Sequence, residues 1–255
     1  MRQLRMRDAR EATGMHFVEG FRAFLQAIDA GAPIDRIVYS EVLAQNVAVQ
    51  KLVRLSRRDG IPVVRVTPEQ FRAVSITDRA SGVGAIVRQH WSSLEEVDPC
   101  RGLCWIGLGQ IRSPGNLGTI MRTAEAVSAG GLIFLGNACD PFDPAVVRAS
   151  MGGLFRLRLV RTSARQFGPW ARRHGCTVVG TSPSAATLHT DVPVDPPLVI
   201  LFGEERAGLG PHELSVCTHL TRIPILGHAD SLNVGVAAGV MLYEILRRRP
   251  AFRYR

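Results

Sequence analysis

Lysine is almost absent from this chain. Lys51 stands alone among 31 Lys+Arg, set against 22 Asp+Glu for a formal net charge of +9. The surplus is arginine, and a preference for arginine over lysine often reflects a GC-rich genome, so only the net sign bears on binding. That sign favours a polyanionic partner, nucleic acid first and an anionic membrane surface second. Cysteine is sparse and odd in number: Cys100, Cys104, Cys139, Cys176 and Cys217. Cys100 and Cys104 lie four residues apart, but no second Cys/His pair completes a zinc site. They read as reduced thiols of a cytoplasmic protein. Long apolar runs are also missing, none approaching the ~18 residues that argue for a membrane span. The charged N-terminus, MRQLRMRDAREA, has no apolar core of a secretory signal. The histidines (His16, His90, His174, His189, His212, His219, His228) are scattered, and metal ligation is not expected. No G-x-x-x-x-G-K-[ST] loop occurs, and Gly107-Leu108-Gly109 fails as a dinucleotide fingerprint because Arg112 stands where the third glycine belongs.

What is present is ordinary for a globular protein: 255 residues, 46% hydrophobic and 21% charged, enough for one large domain or two smaller ones. Arg2, Arg5, Arg7 and Arg10, with Arg22 just beyond, suggest a solvated, partly mobile arm, with RNA contact as the alternative. Phe17, Phe21, Phe24, Leu25 and Ile28 fall at helical spacing. Strands at 36–40, 61–66 and 82–88 then alternate with a helix at 46–58 and a short one opened by Thr67-Pro68. This makes a small α/β domain. The polar stretch 95–102 is the best linker, dividing a domain at 1–97 from one at 98–255. Alternation then restarts, with strands at 103–108, 131–135, 157–160, 177–180 and 198–202. Helices fall at 117–129, 144–151, 163–174 and from Asn233 to the Arg247-Arg248-Arg249-Pro250 stop. Near-continuous apolar strands separated by helices imply a mostly parallel sheet.

Three stretches in the second domain carry chemistry. In the first, IRSPGNLGTIMRTAEA at 111–126, Asn116 sits where a helix N-cap belongs and Arg122 follows within two turns. The second, LVILFGEERAGLG at 198–210, ends a buried strand at Gly203. It places Glu204 at the strand's carboxyl end, where α/β proteins contact ligands. The third, TRIPILGHADSLNVGVAAG at 221–239, leads into a helix whose first turn holds Ser231 and Asn233. Taken singly, an ordinary turn, a solvated glutamate and a helix cap would explain each stretch.

Together they resemble the SpoU (TrmH-like) branch of the SPOUT RNA 2′-O-ribose methyltransferases. The family's N-x-G-x-x-x-R falls on Asn116, Gly118 and Arg122. Its F-G-x-E-x-x-G falls on Phe202, Gly203, Glu204 or Glu205, and Gly208. Its I-P-M-x-G and S-L-N-V-S-V-A fall on Ile223-Pro224-Ile225, Gly227, Ser231-Leu232-Asn233-Val234 and Val236-Ala237. The spelling G-x-E selects Glu205; Glu204 is favoured because it lies four residues before Gly208. Val18-Glu19-Gly20 with Arg22 is similar to the V-E-G-x-R signature of an L30e-like substrate-binding domain found on rRNA-modifying members. Three departures stand out: Ser113 replaces the acidic residue often found before the proline, Ile225 replaces methionine and Gly235 replaces the second serine.

The resemblance implies a catalytic domain with a C-terminal trefoil knot and a homodimer whose active sites lie at the subunit interface. It implies transfer of a methyl group from S-adenosylmethionine to a ribose 2′-hydroxyl of structured RNA, with 23S rRNA favoured. A tRNA target, or a non-catalytic RNA-binding or ribosome-assembly protein keeping the fold, is the alternative. Arg122 would activate or position the 2′-hydroxyl, while Asn116, Glu204, Ser231 and Asn233 would orient Arg122 and the ribose-phosphate. Gly203, Ile223, Leu226 and Leu232 would hold S-adenosylmethionine, with Thr181 and Ser182 as neighbours.

Overall fold

The computed structural model describes residues 1–136 and 139–249. It divides the chain into two compact units, Met1–His90 with Asp140–Arg156 and Trp91–Cys139 with Leu157–Arg255. Residues 91–97, placed by composition in the first domain, belong to the second unit, where Val97 is buried beside Trp105 and Val160. The expected stop at Pro250 lies outside the described residues.

The first unit opens with a 3-10 turn (Arg2–Arg5) and α1 (Arg7–Thr13). The N-terminal arginines are thus not on a mobile arm. Leu4 is buried, and Arg10 is 1% exposed. The Arg10 guanidinium donates to Asp140 at 2.8 Å and to the carbonyls of Leu4 and Arg5 at 3.0 and 2.9 Å. A buried charge without partners costs several kcal/mol, so Asp140 helps tie the segment Asp140–Arg156 into this unit. His16 does the same through packing, its ring 4.9 Å from that of Phe142. Burial lowers the His16 pKa to about 3, so the imidazole is neutral near pH 7.

The unit continues through β1 (Met15–Glu19), α2 (Phe21–Asp29), β2 (Ile34–Tyr39), α3 (Val47–Arg58), β3 (Val63–Arg65), α4 (Pro68–Val74) and β4 (Val83–Arg88). The helical spacing that begins at Phe17 is cut at Gly20, whose φ of +99° is a conformation that favours glycine. Phe17 therefore joins β1, which pairs antiparallel with β4. The strand order is β1-β4-β2-β3, with β2 antiparallel to β4 and parallel to β3. Asn46 caps α3 by accepting the Ala48 N–H, and Thr67 with Gln70 closes a capping box ahead of Pro68.

The second unit runs β5 (Trp105–Leu108), α5 (Pro114–Ala126) and β6 (Gly131–Phe134). The chain next contributes α6 (Pro144–Ala149) to the first unit. It then forms β7 (Arg158–Arg161), α7 (Ala164–Arg173), β8 (Thr177–Thr181), β9 (Thr187–Leu188), β10 (Leu198–Phe202), α8 (Pro211–Leu214), β11 (His219–Arg222) and α9 (Val234–Arg248). Among the described residues these strands form one seven-stranded sheet, ordered β7-β6-β5-β10-β8-β11-β9, with every pairing parallel. Trp105, Phe167, Trp170, Val199 and Leu201 fill one side of its core. β11 was not legible as a strand, because His219-Leu220-Thr221-Arg222 has no apolar run. The sheet chooses it over the apolar residues 223–226, which include Pro224, a residue that cannot donate to a ladder.

A parallel sheet sends all its carboxyl ends to one edge. β6 and β7 lie on one side of β5, while β10, β8, β11 and β9 lie on the other. This reversal of direction is where open α/β sheets bind ligands.

Candidate active site

α5 starts earlier than its apolar pattern suggests. Ser113 is the N-cap, its Oγ accepting the Asn116 N–H at 3.4 Å, and Pro114 is the first helical residue. Proline suits that position because its φ is preset and it has no N–H to leave unpaired. Asn116 is therefore not the cap, and its side chain serves elsewhere. Its Nδ2 donates to Glu205 Oε1 at 2.7 Å, and its Oδ1 accepts from Asn233 Nδ2 at 2.9 Å. Asn233 is itself the N-cap of α9, its Oδ1 accepting the N–H groups of Gly235 and Val236 at 2.9 and 3.3 Å. Glu205, Asn116 and Asn233 thus form one polar chain linking the three sequence stretches.

The carboxylate in that chain is Glu205 and not Glu204, the residue favoured by sequence. Glu204 instead meets Arg112 at 2.9 Å, a contact no motif indicates. Glu204 and Gly208 exchange backbone hydrogen bonds of 2.8 and 2.9 Å, folding 204–208 into a tight loop. A Cβ added at Gly203 would overlap the backbone of Gly208 and Leu209, and Gly208 has a φ of +69°. The glycines fix the loop so that the two adjacent glutamates find different partners. The G-x-E spelling was the signal for Glu205.

Four of the expected cofactor residues, Thr181, Ser182, Gly203 and Ile223, lie at the carboxyl ends of adjacent strands, while Leu226 and Leu232 lie in the loop beyond. Thr181 ends β8 and donates its hydroxyl to the Leu201 carbonyl at 3.2 Å. Ser182 follows it, its N–H bonded to the Thr221 carbonyl and its hydroxyl 3.0 Å from that of Ser184. Gly203 follows β10, and Ile223 follows β11. Leu226 is 100% exposed, and Leu232 and Ser231 are exposed in the loop ahead of α9.

Arg122 is not brought to this group. It lies six residues beyond Asn116 on α5, which at 3.6 residues per turn is about 120° around the helix. It is exposed and makes no hydrogen bond or ion pair with any described residue. Gly235 has a local setting. Its Cβ would lie 3.2 Å from both Asn233 Oδ1 and Thr119 Cγ2, where α9 packs on α5. Among the described residues, no group of three or more His, Cys, Asp or Glu side chains could hold a metal ion.

Comparison with known proteins bears on the same region. The pattern of the SpoU rRNA Methylase family matches residues 104–243, more than half of the chain. This chain belongs to the SpoU rRNA methylase family. Its first 85 residues match the MRM3-like substrate binding domain. A 23S rRNA (uridine(2479)-2′-O)-methyltransferase of Streptomyces viridochromogenes is 32% identical over 95% of this chain and 86% of its own length. An AdoMet-bound rRNA methyltransferase from Sinorhizobium meliloti superposes with a TM-score of 0.88 at 33% identity, covering 97% of this chain and 92% of that one. The SpoU methyltransferase AviRb from Streptomyces viridochromogenes, in complex with AdoMet, gives 0.87 at 30% identity, covering 100% and 97%. Ser113, which departs from the SpoU pattern, serves here as the cap of α5.

Proposed function

We propose that this SpoU methylase transfers a methyl group from S-adenosylmethionine to a ribose 2′-hydroxyl of RNA, with 23S rRNA as the substrate. The observation that carries the reading is the Glu205–Asn116–Asn233 chain, which draws three separated stretches together at the carboxyl ends of a parallel sheet. The AdoMet-bound solved relatives and the 23S rRNA ribose methyltransferase support it.

The residues present suit such a cofactor. Gly203 leaves no room for a side chain against the backbone of Gly208 and Leu209, so only its main chain is available to a ligand there. Leu226, wholly exposed, and Leu232 offer apolar surface for a nucleoside ring, and Ile223, Thr181 and Ser182 stand at the ends of the paired strands β11 and β8. When bound, the cofactor supplies a methyl group on a positively charged sulfur. A ribose hydroxyl is a weak nucleophile, so the protein's work is close placement and charge stabilisation. Arginine stays protonated at neutral pH, its pKa being above about 12. Arg122 therefore orients the 2′-oxygen and offsets the negative charge growing on it while its proton passes to a phosphate of the RNA or to water. Asn116, Asn233, Glu205 and Ser231 hold the ribose-phosphate side, and Glu204 with Arg112 anchors the glycine loop.

In a single chain Arg122 faces away from that group, which supports a homodimer. Val236 and Tyr243 on α9 are 53% and 55% exposed and, seven residues apart, share a face. Two copies burying that face would let each Arg122 complete its partner's site. Mixing Arg122→Ala chains with Asn116→Ala chains should then restore methyl transfer that neither has alone; absence of restoration would overturn the shared site. A trefoil knot at the C-terminal side is part of the same proposal, and α9 packing back on α5 supports it. A crystallographic trace in which 203–233 does not thread would remove it. No helix among the described residues is long and apolar enough to cross a membrane, and we place the protein in the cytoplasm with the ribosome. Mapping 2′-O-methyl groups by mass spectrometry in rRNA and tRNA, from cells with and without the gene, tests the function. A lost mark in 23S rRNA is expected. A mark lost only from tRNA, or none lost, would refute the substrate or the activity.

A further inference from the structure

The first unit holds a cleft that the methyl-transfer chemistry leaves unused. It has a volume of 620 Å³ and is lined by α3, β3 and the end of β2. β3 is the edge strand of its sheet. Gln50, Arg54 and Arg57 contribute from α3, where spacings of four and three put them on one face. Arg65 ends β3, and its register partner Tyr39 ends β2. These are the carboxyl ends of two parallel strands, a ligand position in α/β sheets.

The lining is strongly one-signed, with three arginines against the single carboxylate of Glu41. Arg54 and Arg57 are exposed and form no ion pair or hydrogen bond with any described residue. Arg65 meets Glu41 only at 4.0 Å, with both side chains largely exposed, an interaction worth little. Helix-dipole compensation accounts for Arg57 in the last turn of α3. It does not account for Arg54 one turn earlier or for Arg65 on a strand. A second cleft in the same unit shows the contrast. There Glu19 and Asp78 balance Arg79 and Arg148, and the Glu19 carboxylate is taken up by Ser75 and the N–H groups of Ile76 and Ser81.

We propose that the Arg54–Arg57–Arg65 cleft is a binding groove for the sugar-phosphate backbone of the RNA substrate. Cations spread along a helix face and a strand end suit a polymer of repeated phosphates, and a cleft of one sign concentrates its field on such a ligand. Gln50 and Tyr39 add polar groups for the sugar. The inference rests on the chain acting on RNA.

The test uses the whole protein and a 23S rRNA transcript, with affinity measured across a range of salt. Arg54→Glu with Arg57→Glu should lower affinity about tenfold or more. It should also flatten the slope of log affinity against log salt by about 1.4 to 1.8, as expected for two lost phosphate contacts. Arg54→Gln with Arg57→Gln should give a smaller loss in the same direction. S-adenosylmethionine binding should not change in either variant. Reversing Arg36 and Arg173 instead, an equal change in net charge, should leave the slope near that of the wild type. Unchanged affinity in the double variants, an equal effect of the control, or groove-dependent binding to anionic vesicles in place of RNA would each overturn the groove. If the wild type methylates the transcript while the groove variants bind it normally, only the groove fails. If the wild type neither binds nor methylates RNA, the function itself fails first.

Discussion

The two helices that meet at the site begin differently. At α5 the jobs are divided: Ser113 caps the helix, while Asn116, three residues later, reaches across to Glu205 and Asn233. At α9 one residue does both, because Asn233 caps with its oxygen and bridges to Asn116 with its amide. A serine hydroxyl that accepts from its helix keeps only one donor on the same short side chain, whereas an asparagine has a separate amide nitrogen with two donors to reach elsewhere. Capping a helix and building a site are therefore not competing explanations of the same residue.

The largest effect should come from removing the one residue that neither helix start holds. Arg122→Ala should lower methyl transfer about 10³-fold, at the upper end of what losing one charge-stabilising donor costs. Its thermal midpoint should hardly move, since exposed, unpartnered side chains rarely contribute more than about 0.5 kcal/mol. A variant with wild-type kcat would remove Arg122 from the mechanism. Next comes the dual role of Asn233. Asn233→Ala should cost about 1 to 2 kcal/mol in denaturant unfolding and most of the activity. Asn233→Asp keeps the capping oxygen but loses the donor to Asn116, so it should retain stability and still lose activity. Full activity in Asn233→Asp would show that the bridge does no functional work.

A smaller effect separates the two glutamates. Glu205→Ala should reduce kcat/KM about tenfold, the scale of one lost hydrogen bond to a charged group. Glu204→Ala should reduce it less, since its partner Arg112 is largely exposed. The reverse order would make Glu204 the motif carboxylate after all. Ser113→Ala should cost about 1 kcal/mol of stability with kcat preserved, and Ser113→Asp should recover that loss. A collapse of kcat in Ser113→Ala would mean that the division of labour at α5 is false. The smallest effect belongs to Gly235→Ala, whose neighbours must yield by only a few tenths of an ångström. Calorimetry should show a loss below about 1 kcal/mol, and a larger one would mean that the α5–α9 contact cannot relax.

Much of the fold was legible because it follows local rules. Residues 198–202 read as a buried strand and form β10 with the same bounds. Asn46, Thr67 and Ser163 cap helices where side-chain chemistry says they can. Elsewhere a longer-range constraint overrules the local rules. Phe17 fits a helical spacing but belongs to a strand, because backbone geometry at Gly20 outranks periodicity. β11 exists because β8 offers it a pairing edge, not because its residues favour a strand. Arg10 reads as a solvated charge until Asp140, 130 residues away, is placed against it.

The sequence alone pointed to a parallel α/β sheet in the second part of the chain and favoured a polyanionic partner, through periodicity, residue type and net charge, all properties of neighbours along the chain. Its resemblance to the SpoU family, and no local rule, singled out the three glycine-bearing stretches. Only tertiary structure decided which glutamate reaches Asn116, that Asn233 serves two ends at once, and that Arg122 turns away from both. Those outcomes depend on distances between residues 89 and 117 positions apart, and on the angle a helix turns between two side chains. The G-x-E spelling hinted at Glu205, but no local pattern encodes the distances or the angle themselves.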